Sequence, residues 1–162
     1  MNGEIVIQND SSLELTPELE TVLSDAVQRT LFSEGVDVAC EVSILLCKNE
    51  EIHALNLEYR GKDRETDVLS FPIYDTKEEL FEDVRLNTLA GFFAIGDVVI
   101  APDVVRVAAD EIGDPFEMHL SRMCIHSVLH LLGYDHELGA EEEKEMLEKQ
   151  ETILTELWKD HV

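Results

Sequence analysis

The stretch that decides the fold and the chemistry of this chain is His126-Ser-Val-Leu-His130-Leu-Leu-Gly133-Tyr-Asp-His136. His126 and His130 stand four residues apart, so both imidazoles lie on one helix face and can bind one ion. Gly133 follows the last turn, where a glycine readily adopts the left-handed conformation that reverses the chain. This reversal can bring His136 back towards the other two histidines. Three imidazoles with an open fourth position are typical of a catalytic zinc site.

The surroundings of these histidines favour a metal over chance. Two histidines four apart in a helix are by themselves more often a coincidence or a hydrogen-bonded core pair. Three around a glycine are rarer, and the helix is apolar almost all round, so burying imidazoles there without partners would cost free energy that a metal relieves. The sequence therefore predicts His126, His130 and His136 as ligands of one zinc ion per chain. Nickel or another late transition metal also suits three imidazoles.

The spacing alone leaves the reaction open. The pattern HxxxHxxGxxH is shared with zinc proteases that carry a glutamate immediately after the first histidine as general base. Here that position is Ser127, which cannot act as a carboxylate base, and no general base is identifiable elsewhere. A zinc metallopeptidase of metzincin-like geometry is therefore an alternative rather than the first expectation.

Length and composition favour one domain without a membrane segment. The chain has 162 residues and a mass of 18.3 kDa, which suits a single domain over residues 1–162. The sequence shows no signal-peptide pattern and no apolar run long enough to cross a bilayer, so we expect a cytoplasmic location and no membrane partner. Cys40, Cys47 and Cys124 lack CxxC spacing, which indicates buried, reduced thiols.

The charge balance is strongly acidic. Lysine and arginine together number 12 against 36 aspartates and glutamates, which gives a net charge of −24. Because phosphate neutralisation needs cations, this excludes a broad non-specific nucleic-acid surface and requires any RNA contact to use a local basic patch. The same acidity suits docking onto a cationic partner.

Periodicity predicts an α+β (α/β-like) fold. Strands are expected at 4–8, 40–47, 67–72 and 96–101. Helices are expected at 16–35, 49–59, 102–113, 115–132 and 140–159, with Thr16 and Asn49 as caps and 73–94 as a loop or lid. The inner side of the last helix is assigned to Met146, Leu147, Ile153, Leu154, Leu157 and Trp158. About four strands in a mixed sheet would pack with about five helices, the histidine-bearing helix being central.

The histidine stretch resembles the hallmark of the YbeY endoribonuclease family, HGxLHLxGYDH, and departs from it only at Ser127, where the family has glycine. Two further segments are similar to that family. They are NLEYRGKDRETDVLSFP at 56–72 and GDVVI at 96–100. Together the matching segments span roughly residues 49–137.

The resemblance implies a zinc-dependent, single-strand-specific endoribonuclease with roles in ribosomal RNA maturation and ribosome quality control. It implies His126, His130 and His136 as metal ligands and Arg60 as the functionally important arginine. Arg60 could pair with a phosphate or stabilise the transition state, although a surface salt bridge is the commoner fate of an arginine. The implied partners are single-stranded ribosomal RNA and the ribosome or its proteins, with no DNA.

Several residues keep two interpretations. Thr66, Asp67 and Ser70 could line the cleft, but capping and strand-edge hydrogen bonds explain them equally well. Asp135 and Glu137 could orient His136 or cap a helix. Asp97 is expected to be structural, and His53, His119 and His161 have no spacing that suits the metal. A third function also stays open, a non-catalytic zinc-containing ribosome-assembly factor, in which a fourth protein ligand would close the metal site.

Overall fold

The fold is α+β, as predicted, and the residues that the structure describes form six helices where about five were expected. The computed structural model describes residues 3–86, 93–134 and 139–161. Its strands are β1 Gly3–Asn9, β2 Cys40–Leu46, β3 Val68–Pro72 and β4 Phe93–Ile100. Its helices are α1 Pro17–Ser33, α2 Asn49–Arg60, α3 Lys77–Leu86, α4 Pro102–Ile112, α5 Phe116–Leu131 and α6 Ala140–His161.

The four strands form one mixed sheet in the order β1-β2-β4-β3. The β1-β2 and β2-β4 pairs are parallel, whereas the edge strand β3 runs antiparallel to β4. Gly96 of β4 allows β3 and α5 to come close together. A Cβ at this position would lie 2.5 Å from the carbonyl oxygen of Phe71 and 2.8 Å from Cδ2 of Leu131. The glycine therefore keeps the edge strand against the histidine-bearing helix.

Helix α5 is central, as predicted. One side of it packs on the sheet through Leu120, Val128 and Leu131. Its other side contributes Ile125 and Leu129 to a second cluster with residues of α1 and α6. A helix buried from both sides holds its side chains in fixed rotamers, which is what a precisely spaced site needs.

The expectation of a loop or lid over 73–94 was wrong for residues 77–86, which form α3, and for residues 93 and 94, which begin β4. Residues 87–92 of that segment lie outside the described residues. The helix begins after Thr76, whose Oγ1 accepts a hydrogen bond of 3.1 Å from the amide of Glu79. Leu80 is fully buried and Val84 is 8% exposed, so α3 belongs to the main core. The acidic residues between these two anchors obscured their helical spacing in the sequence.

The helix starts were predicted with mixed success. Thr16 caps α1 as expected, because its Oγ1 accepts from the amide of Leu19 at 3.2 Å and Pro17 begins the helix. Asn49 was wrong as a cap. Lys48 occupies the cap position without a side-chain hydrogen bond, and Asn49 is the first residue of α2.

The last helix, α6, presents an acidic face to solvent and an apolar side to the core. Met146, Ile153, Leu154 and Leu157 are buried as predicted, and Trp158 is half-buried. Leu147 was wrongly assigned to the inner side, since it is 42% exposed. Across the described ranges, no helix combines the length and apolarity that a membrane span requires.

The three cysteines are buried and outside any disulfide, as predicted. Burial raises the pKa of Cys40 to about 11 and that of Cys124 to about 12. The pKa of Cys47 also rises to about 12, through burial and then the nearby Glu51 carboxylate. These thiols therefore stay protonated at neutral pH and serve as core side chains.

Candidate metal centre and active-site cleft

The paired histidines of α5 converge on one point. Their Nε2 atoms lie 3.1 Å apart, and the ring planes are inclined by 81°. The Nδ1 atom of each ring, on the side away from this point, has a hydrogen-bond partner of its own. His126 Nδ1 lies 2.7 Å from Oε1 of Gln150 on α6. His130 Nδ1 lies 2.7 Å from the carbonyl oxygen of Tyr134.

These contacts define where the imidazole protons sit. A carbonyl oxygen can only accept, so Nδ1 of His130 donates to Tyr134 and the neutral ring keeps its lone pair on Nε2. The amide of Gln150 is oriented by its own neighbour, because its Nε2 donates to a carboxylate oxygen of Glu151 at 3.0 Å. The oxygen of Gln150 therefore faces His126, whose Nδ1 donates to it. In this tautomer each imidazole, when neutral, presents an Nε2 lone pair to the same place.

This arrangement fits a metal ion. Two nitrogen ligands at zinc–nitrogen distances of about 2.0–2.1 Å in a tetrahedral site lie about 3.3–3.4 Å apart. The observed Nε2–Nε2 distance of 3.1 Å is within a few tenths of that value. The third predicted ligand, His136, lies outside the described residues, as do Asp135 and Glu137. Within the described ranges alone, no three His, Cys, Asp or Glu side chains form a group that could hold a metal.

The chain reversal after α5 depends on Gly133, as predicted from the sequence. Gly133 has a φ of +106°, and a Cβ at this position would lie 2.6 Å from Cβ of Lys77. The amide of Tyr134 then donates to the carbonyl of Leu129 at 3.1 Å. The reversal places the Tyr134 carbonyl against His130, so this turn contributes directly to the orientation of the His130 ring.

Tyr134 is itself fixed by a buried ionic cluster. Its hydroxyl donates to Oε1 of Glu34 at 2.6 Å and accepts from Nζ of Lys149 at 2.6 Å. The Glu34 side chain is only 4% exposed, and Lys149 is 3.2 Å from it. Burial and then the Glu34 carboxylate raise the pKa of Tyr134, which therefore remains a phenol and a donor. The cluster ties the end of α1 and the middle of α6 to the turn behind His130.

A second network supports His126 through Gln150. The carboxylate of Glu151 accepts from Nε of Arg122 at 3.0 Å. Arg122 also donates to Asp114 at 2.9 Å and to Nδ1 of His119 at 2.8 Å. Burial and then the Arg122 cation lower the pKa of His119. His119 therefore has a structural place in this network rather than a place beside His126 and His130.

Two clefts meet at the histidine pair. The larger has a volume of about 640 Å³ and the smaller about 190 Å³. Arg60, Ser70 and His130 line both of them. The structure thus brings Arg60, which is 66 positions before His126 in the sequence, into the same cavity as the imidazoles.

The smaller cleft collects two more residues singled out in the sequence, Thr66 and Asp67, together with two cations of the loop after α2. Thr66, Asp67, Lys62, Arg64 and His126 line it. Asp67 also accepts a hydrogen bond from the amide of Val68 at 2.8 Å. Asp67 therefore both lines the cleft and forms the strand-end hydrogen bond, the two interpretations left open by the sequence. Asp97 is exposed and lines neither cleft.

Backbone hydrogen bonds fix the loop after α2, which carries Lys62 and Arg64 at the cleft. Gly61 ends the helix with a φ of +68°. Asn56 is 2% exposed, and its side-chain Nδ2 donates to the backbone carbonyl of Arg64 at 2.9 Å. Its backbone carbonyl accepts a hydrogen bond from the amide of Lys62 at 3.2 Å. In the described part of the chain, no ion pair engages Arg60, Lys62 or Arg64. Their side chains are exposed and available to an anionic ligand.

The other two histidines that the sequence set aside contact acidic partners away from the pair. His53 Nε2 lies 2.6 Å from Asp63, and His161 Nε2 lies 2.8 Å from Asp25. Gln150, Tyr134 and Ser127 are the site residues that sequence reasoning missed as partners. Gln150 and Ser127 act through contacts between elements, and Tyr134 acts through the turn after α5, so the spacing within one helix reveals none of them.

Fold and site together define a class of small α+β proteins in which a central helix presents two converging imidazoles to a cleft containing an arginine. A family model described as endoribonuclease YbeY matches residues 5–158. The chain belongs to the endoribonuclease YbeY family, which confirms the resemblance seen in the sequence.

Relatives and a solved structure agree with this assignment. The chain is 40% identical over 153 residues to endoribonuclease YbeY of Caldanaerobacter subterraneus subsp. tengcongensis, covering 94% of this chain and 96% of the relative. It is 40% identical over 143 residues to endoribonuclease YbeY of Bacillus subtilis, covering 88% and 86%. The solution structure of TM1509 from Thermotoga maritima is 32% identical with a TM-score of 0.64, covering 97% and 91%.

Proposed function

We propose that this protein is a zinc-dependent endoribonuclease that hydrolyses single-stranded RNA where Arg60 meets the histidine pair. The observation that carries the proposal is the shared cavity, in which Arg60, Ser70 and His130 line both clefts. Family membership supports an endoribonuclease, since relatives carry that name over nearly their whole length.

The metal would be held by His126 and His130, with His136 as the predicted third ligand. When bound, a zinc ion polarises a phosphoryl oxygen and acidifies water. Nickel or another late transition metal would suit the same imidazoles. The protein supplies the orientation of the ligands, because Gln150 and the Tyr134 carbonyl fix the protons of the two rings on Nδ1.

Arg60 is the residue proposed to act on the phosphate. Its planar guanidinium can donate two parallel hydrogen bonds to a phosphodiester, a geometry that lysine does not offer. Held at the junction of the two clefts, it can also stabilise the negative charge that develops during phosphodiester cleavage.

Charge distinguishes the two clefts as paths for RNA. Four carboxylates line the larger cleft, namely Asp75, Glu78, Glu142 and Glu145, and they outnumber its two cations, Arg60 and Lys77. The smaller cleft has Arg60, Lys62 and Arg64 against Asp67. Because the RNA backbone carries one negative charge per nucleotide, it is attracted to the smaller cleft and repelled by the larger one. The proposal therefore places the RNA strand in the smaller cleft, over the loop after α2, rather than in the larger one.

The biological setting is proposed from the resemblance together with charge. Ribosomal RNA maturation and ribosome quality control in the cytoplasm are the proposed roles, with ribosomal RNA as substrate and DNA not attacked. A net charge of −24 suits docking onto basic ribosomal proteins, which would bring the enzyme to RNA that it binds weakly alone.

Ser127 argues against the peptidase alternative. It occupies the position where such peptidases carry their glutamate base, yet it is fully buried and bonded to Ser70. A side chain in that setting cannot take a proton from water in the cleft. A non-catalytic assembly factor differs from the proposed enzyme in having no turnover, which a direct assay decides.

The test compares Arg60→Ala with Arg106→Ala, another exposed arginine, which lies on α4 and lines neither cleft. Arg60→Ala is expected to keep its zinc content and melting temperature while RNA cleavage falls by about 100-fold or more. Arg106→Ala should cleave like the wild type. Full activity of Arg60→Ala would contradict the proposal, and equal loss in both variants would remove the specific role of Arg60.

A further inference from the structure

We infer that Ser127 is a positioning residue that makes the hydroxyl of Ser70 a fixed hydrogen-bond donor to a phosphate oxygen of the RNA substrate. The inference rests on the proposed function and deepens it by adding a second phosphate-binding group beside Arg60. It concerns a position where this chain departs from the family pattern, which has glycine in place of Ser127.

The two serines join the histidine-bearing helix to the edge strand. Ser127 of α5 is fully buried, and its Oγ lies 2.6 Å from Oγ of Ser70 in β3. Ser70 is half-buried and lines both clefts together with Arg60 and His130. Ser127 therefore lies in the core, whereas Ser70 at the other end of the hydrogen bond faces the candidate active site.

Burial decides the direction of the bond. Within the described part of the chain, Ser70 is the one hydrogen-bond partner of the Ser127 hydroxyl. Ser121, on the same helix, instead donates to the carbonyl of Glu117 at 2.8 Å. A buried hydroxyl that kept its proton unshared would lose a hydrogen bond to water without replacement, so Ser127 donates and Ser70 accepts.

The consequence is a directed proton on Ser70. A serine hydroxyl has one proton and two lone pairs. Since one lone pair of Ser70 is used by Ser127, its own proton points away from the core, and the side of Ser70 away from the core is the cleft. Neutral hydroxyls are common donors to phosphate oxygens. Ser70 and Arg60 can therefore bind one phosphodiester from two directions, and a glycine at position 127 would leave the Ser70 rotamer unrestrained.

A double-mutant cycle tests the pair. Ser70→Ala removes the donor, and kcat/KM for a labelled single-stranded RNA is expected to fall by about tenfold or more, as for hydrogen bonds to charged groups. Ser127→Ala keeps the Ser70 hydroxyl but removes the hydrogen bond that orients it, so kcat/KM should fall less, by about threefold. The double variant should be no worse than Ser70→Ala, because Ser127 acts only through Ser70.

Further variants separate positioning from general structural damage. Ser70→Thr keeps a hydroxyl on a residue that suits a strand and should restore most of the activity. Zinc content should match the wild type in every variant, whereas the melting temperature should fall in Ser70→Ala, which leaves the buried Ser127 hydroxyl without its acceptor. If Ser127→Ala melts early, all variants are compared at a lower temperature at which it is folded, and it should show the same threefold loss.

The outcomes distinguish this inference from the proposed function. A wild type that cleaves RNA while both alanine variants cleave within twofold of it overturns the inference alone. Additive losses in the double variant also overturn it, since independent effects mean that Ser127 does not act through Ser70. A wild type that cleaves no RNA overturns the proposed function and this inference with it.

Discussion

The orientation of His126 by Gln150 gives the prediction that follows most directly from the geometry. Gln150→Leu removes the acceptor that lies 2.7 Å from Nδ1 of His126 at a position only 5% exposed. The Nδ1 proton then either stays buried without an acceptor, at a cost of about 1–3 kcal/mol, or moves to Nε2, where it blocks the metal. Either result weakens zinc binding.

The expected size of this effect is a 10- to 100-fold increase in the Kd for zinc, as for other groups that orient metal ligands. That range corresponds to about 1.4–2.7 kcal/mol of binding free energy. The assay is a titration of the apoprotein with zinc in competition with a chromogenic chelator, supported by a thermal melt to show that the variant is folded.

Two matched variants complete the experiment. Gln150→Glu combined with Glu151→Gln keeps an oxygen acceptor facing His126 without placing two carboxylates against each other, and this double variant should retain most of the affinity. Gln28→Leu makes the same change at a half-buried glutamine of α1 that lines neither cleft, and it should bind zinc like the wild type. A Gln150→Leu protein whose Kd stays within twofold of the wild type would refute the reasoning about the ring protons.

Three further predictions concern the turn, the acidic cleft and pH. Gly133→Ala forces a Cβ to within 2.6 Å of Lys77 at a φ of +106°, so urea unfolding should show a loss of about 1–3 kcal/mol or more; an unchanged midpoint would contradict this. Glu142→Gln should raise kcat/KM for RNA at low salt and lose that advantage at high salt, whereas Glu156→Gln, exposed on the same helix but outside the clefts, should change it little. Burial lowers the pKa of His119 in the folded protein, so the unfolded chain binds more protons at this residue as the pH falls. The free energy of unfolding should therefore drop below about pH 6.5, and His119→Asn should flatten that drop. Equal slopes against pH in both proteins would show that the titration lies elsewhere.

The features that the sequence predicted well are those encoded within one element. The spacing of His126 and His130 on an apolar helix leads directly to convergent rings, because a helix turn fixes their separation. Gly133 has the expected positive φ, since the helix end needs a residue without a side chain there. Thr16 and Pro17 begin α1 for equally local reasons.

The features that were missed depend on contacts between elements. Helix α3 was mistaken for a loop because Leu80 and Val84 are its only fully inward anchors among many acidic side chains. Gln150 lies 24 residues from His126, so only the packing of α6 on α5 makes it a partner. Arg60 was identified through resemblance alone, and its position at the cleft needs the turn at Gly61 and the edge position of β3.

The central claim is best tested by giving one labelled single-stranded RNA and a labelled casein to the wild type and to His130→Ala, purified in parallel. A contaminating ribonuclease would act equally in both preparations, so only a difference between them counts. The account predicts that the zinc-loaded wild type cleaves the RNA, leaves the casein intact and loses its activity on chelation, while His130→Ala cleaves neither substrate. Equal RNA cleavage by both proteins, or cleavage of casein by the wild type alone, would contradict it.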